Sequence, residues 1–192
     1  MTDFSTDIER FHQDLSKSYR EYWYGRGVED ATLDKMKIGY KEKYNSGFYV
    51  FPYFNGKGEC YSYREIAADD KKKQYWYPVG AGDVVRIYNI ADISRAKETG
   101  ETLFMGEGEK DSLILIQCGY LCIGIPGVNA FKEKDIELFD GVKDIVVCFD
   151  KGRAGREGSR KVANLLGRRA RVLIWPEKCK EGYDVNDLWL GR

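Results

Sequence analysis

Hydrophobic and polar positions follow two different patterns along this chain. Residues 3 to about 24 place apolar groups at Phe4, Ile8, Phe11, Leu15, Tyr19, Tyr22 and Trp23, a spacing that predicts an amphipathic helix. Gly25 and Gly27 supply its stop. A short second helix is expected around Glu29 to Met36. The period then shortens: the aromatic-rich runs Phe48 to Phe54 and Glu59 to Arg64 flank Asn55-Gly56-Lys57-Gly58, the composition of a β-hairpin with a glycine-containing turn. Further short extended pieces are expected at Gln74 to Val79 and Val84 to Tyr88. This first half reads as α+β with antiparallel strands.

From about residue 99 the pattern alternates: strand 102 to 106, helix 110 to 119, strand 121 to 125, helix 131 to 139, strand 144 to 149, helix 155 to 167 and strand 171 to 175. Strands interleaved with helices predict an α/β fold whose mostly parallel sheet is covered by helices on both faces. The junction near Ala96 to Gly100 is a turn with no Pro/Ser-rich linker. The expected organisation is therefore a smaller α+β subdomain, residues 1–98, packed against an α/β subdomain, residues 99–192, with a cleft between them.

The candidate chemistry lies at strand ends in the second half. The apolar run Leu103-Phe104-Met105-Gly106 leads into Glu107-Gly108-Glu109-Lys110-Asp111, the run Val146-Val147-Cys148-Phe149 ends on Asp150, and Asp184-Val185-Asn186-Asp187 follows the last strand. Ligands bind at the carboxyl ends of strands in open α/β sheets. Oxygen donors of this kind favour Mg²⁺ or Mn²⁺ over softer metals. Phosphate chemistry is the leading reading.

Composition narrows the picture. With 192 residues, 43% hydrophobic and 14% aromatic, the chain can build a core. The 31 basic and 31 acidic residues cancel, so net charge does not decide for or against a polyanionic partner. Between Lys143 and Arg171, however, nine Lys or Arg face three acids, a surplus of six. Two readings stand for that stretch: a face turned to a phosphate backbone or a solvated helix surface. The five cysteines include no Cys-x-x-Cys pair, which argues against a disulfide framework and against zinc. No apolar run reaches the ~20 residues of a membrane span, and the amino terminus lacks the regions of a signal peptide. A cytoplasmic protein, in the host cytoplasm if phage- or plasmid-borne, is the expectation. The sole histidine, His12, lies far in sequence from the acids, which favours a metal-driven mechanism.

The order Glu107-Gly108-x-x-Asp111, then Asp150-Lys151-Gly152-Arg153-Ala154-Gly155, then Asp184-x-Asn186-Asp187 resembles the TOPRIM domain shared by primases, topoisomerases and some nucleases. Tyr24-Gly25-Arg26-Gly27-Val28 with Thr32 and Lys37-Ile38-Gly39-Tyr40 resembles the start of the RNA-polymerising domain of bacterial-type and phage DNA primases, and Asn55-Gly56-Lys57-Gly58 leading to Tyr63-Arg64 resembles their hairpin. Lys73-Gln74-Tyr75-Trp76 and Arg86-Ile87-Tyr88-Asn89 match two further basic positions more loosely. The resemblance implies a nucleotidyltransferase that makes short RNA primers on a single-stranded DNA template from ribonucleoside triphosphates, with a replicative helicase as a further partner. It also implies the roles. Glu107 and Asp150 are the central catalytic metal ligands of a two-metal Mg²⁺ or Mn²⁺ site, Asp184 and Asn186 complete it, and Arg64, Lys73, Arg86 and Lys110 contact nucleotide or template. Asp111 is read either as an outer ligand or as an acid favoured by the amino terminus of its helix. The rings Tyr61, Tyr63, Tyr75, Trp76 and Tyr77 are read as base-stacking surface or as core.

One position departs from the family. The usual Asp-x-Asp-x-x-Gly has lost its second acid at Gly152, with Lys151 and Arg153 beside the gap. Three readings remain open there: a variant compensated by Asp184 and Asp187, an engineered substitution, or a nucleic-acid-binding TOPRIM module that no longer polymerises. A TOPRIM nuclease is a further alternative. On the sequence alone, Gly152→Asp is expected to raise metal affinity. Gly155 is read as a packing glycine, and Gly124 to Asn129 as a tight turn beside the acids, open either to a phosphate or to plain turn duty.

Overall fold

A computed structural model describes residues 2–69, 75–80, 86–127 and 130–192. Two compact units divide at Val84 and Val85. Lys73, Gln74, Val84, Val128 and Asn129 lie outside the described residues.

In the first unit the expected long helix is two, α1 (Ser5–Gln13) and α2 (Lys17–Tyr24). The break falls at the polar Asp14 and Ser16: Asp14 ends α1, while Ser16 takes an extended ψ of 166° and its carbonyl accepts the first amides of α2. Serine at such a position offers the backbone a non-helical alternative. Ile8, Phe11, Leu15 and Trp23 still face inward. After α3 (Asp30–Lys35) comes β1 (Gly39–Lys43), whose Lys-Glu-Lys half carries no apolar alternation and so gave no strand signal. The hairpin forms as expected from β2 (Ser46–Phe54) and β3 (Cys60–Ala67), and β4 is only Tyr75–Trp76. The sheet is antiparallel in the order β1-β2-β3-β4. All of Phe48 to Tyr53 is buried on β2, so that strand is covered on both faces.

The second unit begins with α4 (Ala91–Thr99), absent from the sequence reading. Ile93 and Ala96 of α4 join Leu103, Met105, Ile123, Ile145 and Val147 in one core. Residues 86–98 therefore belong with the parallel sheet, and the compact units part well before the turn near residue 98. The expected alternation follows: β5 (Leu103–Gly106), α5 (Glu109–Gln117), β6 (Leu121–Gly124), β7 (Ile145–Cys148), α6 (Arg153–Leu166) and β8 (Ala170–Val172). Residues 133–139 are a 3₁₀ helix rather than an α-helix. There the Asp135 carboxylate accepts the Lys132 amide at 2.8 Å, tightening the turn. β8 stops three residues before Trp175, ahead of Pro176, which has no amide to donate. A last short helix, α7 (Val185–Trp189), packs on α5. The strand order is β6-β5-β7-β8, all parallel.

Candidate metal centre

From β5 the chain steps to β6 on one side and then to β7 on the other, so the strand order reverses between β5 and β7. That is where a crevice opens beyond the carboxyl ends of a parallel sheet. Gly106 of β5 and Cys148 of β7 are register partners. Glu107 follows the one strand directly, and Asp150 lies two residues past the other. The Asp150 amide donates to Glu107 Oε2 at 3.1 Å, joining the two strand ends.

The electrostatics are unfavourable for a protein alone. Burial pushes the Glu107 carboxyl up, and the bond from the Asp150 amide offsets only part of that. Asp150 is held well above the carboxylate range, first by burial and then by the like charges of Asp111, Glu107, Asp184 and Asp187. Both backbone environments are built for this closeness. A Cβ on Gly155 would stand 2.0 Å from the Asp150 carbonyl oxygen, so only glycine lets α6 start against that strand end. A Cβ on Gly124 would stand 2.6 Å from the Gly108 oxygen, which assigns that glycine to packing of the strand end on the α5 turn.

The third cluster arrives on α7. Asn186 is 5% exposed; its Nδ2 donates to Asp111 Oδ1 at 3.2 Å, and its Oδ1 accepts no hydrogen bond among the described residues. Asp184 Oδ1 caps α7 by accepting the Asp187 amide at 2.7 Å, and Asp187 pairs with Lys180 at 3.1 Å. Five of the acids and amides read from the sequence, Glu107, Asp111, Asp150, Asp184 and Asn186, thus converge on one sheet edge, with Asp187 as a sixth. Among the described residues no three His, Cys, Asp or Glu groups close around a common point. The donor chemistry nevertheless fits a divalent cation: hard oxygens, surplus negative charge and one orphaned buried amide oxygen.

Other candidates are placed elsewhere. Lys110 opens α5, partly buried, and Arg86 precedes Tyr88, whose amide donates to Gly124 at 2.9 Å; both belong to the second unit. Arg64 lies on β3 of the first unit, its guanidinium over the Tyr75 ring at 4.5 Å and near that of Tyr77 at 6.0 Å. Tyr61 and Tyr63 are core, whereas Tyr75 and Trp76 are exposed, the latter beneath Lys43 at 5.0 Å. Of the basic stretch, Arg169 and Arg171 are paired with Asp140 and Asp144. Arg156 and Arg160 instead line a cavity of about 180 Å³ beside Asp150, with Leu173, Ile174 and Trp175 opposite. Lys151 does not bring its charge to the gap at Gly152. Its Nζ donates to the carbonyls of Pro176, Glu177 and Cys179, pinning the loop after β8. Those partners are about a seventh of the chain away, and no local pattern announced them.

Comparison with known proteins bears on the fold and the family. The family model described as Toprim-like matches residues 104–189. The Gene 57 protein of Mycobacterium phage D29 is 31% identical over 137 residues, spanning 71% of this chain and 82% of that protein. The DNA primase of Chlamydia pneumoniae is 21% identical, across 95% of this chain but only 37% of its own length. The chain belongs to the same family as that phage D29 protein and carries a Toprim-like domain. The solved primase fragment of the bacteriophage T7 primase-helicase protein shares the fold, with a TM-score of 0.71 at 23% identity, covering 88% of this chain and 67% of that one. The α/β class, the parallel sheet flanked by helices and the preceding antiparallel sheet all belong to this family's architecture. Among the described residues no helix is long and apolar enough to cross a membrane.

Proposed function

We propose that this TOPRIM chain is a primase-type nucleotidyltransferase that joins ribonucleoside triphosphates into short RNA primers on single-stranded DNA. The observation that carries this is the half-buried Asp150, whose backbone amide donates to the Glu107 carboxylate and whose own carboxyl faces Asp111, Asp184 and Asp187 at the reversal of the strand order. Such a set is stable at neutral pH when divalent cations share the charge. Glu107, Asp150, Asp184 and Asn186 would hold Mg²⁺ or Mn²⁺, with Asp111 orienting Asn186. Bound there, divalent cations would supply the positive charge that favours ionisation of an attacking 3′-hydroxyl and neutralises the leaving pyrophosphate.

The protein's own groups do the positioning. The shared hydrogen bond between Glu107 and the Asp150 amide sets the spacing of the two strand ends, and the absence of a Cβ at Gly155 keeps Asp150 against α6. Arg156 and Arg160 present planar donors at the mouth of the adjoining cavity, suited to phosphate oxygens. In the first unit, Arg64 with Tyr75 and Lys43 with Trp76 offer charge next to exposed rings, the combination that holds single strands by stacking and backbone contact. Lys73, Arg86 and Lys110 are assigned to nucleotide or template contact on the resemblance, and a replicative helicase is the partner suggested by the phage primase-helicase relative.

Gly152 favours a second reading, a module that binds nucleic acid without polymerising. Incubation with mixed-sequence single-stranded DNA, labelled ribonucleotides and Mn²⁺ separates the outcomes. Short labelled products support primer synthesis, shortened template supports a nuclease, and binding without either supports the silent module.

A further inference from the structure

The missing second acid of the Asp-x-Asp pattern leaves a place that another residue occupies. An ideal Cβ built on Gly152 would stand 3.1 Å from Oε2 of Glu181. A carboxylate carried by residue 152 would therefore share the space that Glu181 already fills. Glu181 is remote in sequence, on the exposed loop between β8 and α7, and its position is not left to chance. The amide of the next residue, Gly182, donates to the Lys151 carbonyl at 2.6 Å, and the Lys151 amide donates to the Tyr183 carbonyl at 2.8 Å. The Lys151 side chain holds the earlier part of the same loop through the carbonyls of Pro176, Glu177 and Cys179. The Trp175 indole closes the loop's start on the Phe149 carbonyl at 2.8 Å. These hydrogen bonds hold the loop that carries Glu181 beside the Asp150 to Gly152 turn.

We propose that Glu181 supplies, from this loop, the carboxylate that Gly152 lacks, and so completes the cation-binding set with Glu107, Asp150 and Asp184. This rests on the metal reading above and says which residue makes the departure at Gly152 tolerable. The buried Asn186 Oδ1, beside Asp111, accepts no hydrogen bond among the described residues, so an oxygen donor is left over in the set that Glu181 would join. Lys151 has a part in this arrangement: between Asp150 and the position where the family pattern has its second acid, this lysine holds the loop that carries Glu181. The Gly152→Asp substitution, read from the sequence as a gain, instead presses a second carboxylate onto Glu181, at a backbone φ of 157° that already disfavours a side chain.

The test is a titration of the full chain with Mn²⁺, following the loss of the free-ion signal by electron paramagnetic resonance, alongside thermal unfolding in metal-free buffer. Glu181→Gln should weaken Mn²⁺ binding about tenfold or more, on the scale at which loss of a supporting group lowers metal affinity, while metal-free unfolding stays where it was. Glu177→Gln, an equally exposed acid on the same loop, should titrate like the unsubstituted chain. A Glu181→Gln curve superimposed on that of the unsubstituted chain overturns the role of Glu181 and leaves the metal centre standing, and an equal loss in Glu177→Gln overturns it too, because general loop charge then suffices. Failure of the unsubstituted chain to bind Mn²⁺ any better than Asp150→Asn removes the metal reading and Glu181 with it.

Discussion

Each unit of this protein draws an acid out of water, Glu65 fully and Asp150 in part, and the two are treated in opposite ways. Glu65, on β3 of the antiparallel unit, is 2% exposed and lies against Lys41 at 2.9 Å and Lys43 at 3.6 Å. Asp150, at the strand ends of the parallel unit, donates its backbone amide to the Glu107 carboxylate and faces three further acids, Asp111, Asp184 and Asp187. A buried charge with two cations is an internal ion pair, complete without any ligand. A half-buried carboxyl facing more carboxyls carries an unbalanced cost, which under the proposed function a bound cation would offset. On that proposal the contrast separates structural burial of charge from burial that prepares a site, within one chain of cancelling net charge.

Changes at the two acids should break this contrast most sharply. Asp150→Asn is expected to lower primer synthesis by about 10²- to 10³-fold, since charge stabilisation carries most of this kind of catalysis. It should at the same time raise the metal-free melting temperature at neutral pH, because an amide avoids the cost of holding this carboxyl above its usual range. Gel assay of labelled products and a thermal scan check both halves; a lower melting temperature would show that the carboxylate is stabilising and that the contrast is misdrawn. Glu65→Ala should act in the reverse sense, costing about 3 kcal/mol in urea unfolding by leaving Lys41 and Lys43 beside apolar surroundings, with Mn²⁺ affinity unchanged. Equal loss of metal binding in Glu65→Ala would erase the distinction.

Two smaller effects sharpen it. Gly155→Ala must displace α6 or the Asp150 carbonyl, at a cost of about 1–3 kcal/mol from overpacking, and should reduce Mn²⁺ affinity because the ligand moves with its backbone. Calorimetric stability and metal titration on the same variant test whether the two losses travel together. Arg64→Ala should weaken single-stranded DNA binding nearly equally across sequences and reduce its salt slope by about one. A filter-binding series in increasing salt measures it, and an unchanged slope would assign Arg64 to packing against Tyr75 alone.

Legibility followed the range of the forces involved. Glu107 and Asp150 were readable because each ends an apolar run, and a strand's end is a local event. Asp184 and Asn186 were readable as a motif, but α7, which carries Asn186 to Asp111, was not, being only five residues long. β1 escaped notice because its Lys-Glu-Lys half pairs through backbone bonds that any side chain permits. The break between α1 and α2 was hidden by an apolar period that runs through it, and α4 was hidden by its weak stripe, which joins residues 91–99 to the core of the parallel sheet. Lys151 was misread as charge at the gap because its carbonyl partners lie 25 to 28 residues on.

By itself the amino-acid order determined the alternation of strand and helix, the family, and which carboxylates end their strands, since these follow from periodicity and short motifs. Only the tertiary structure decided that β5 and β7 are neighbours, that Asn186 reaches Asp111, and that Glu181 stands where residue 152 would project. Those outcomes depend on crossovers and loop clamps between distant segments, and burial and hydrogen bonding select such contacts only once the whole sheet has formed.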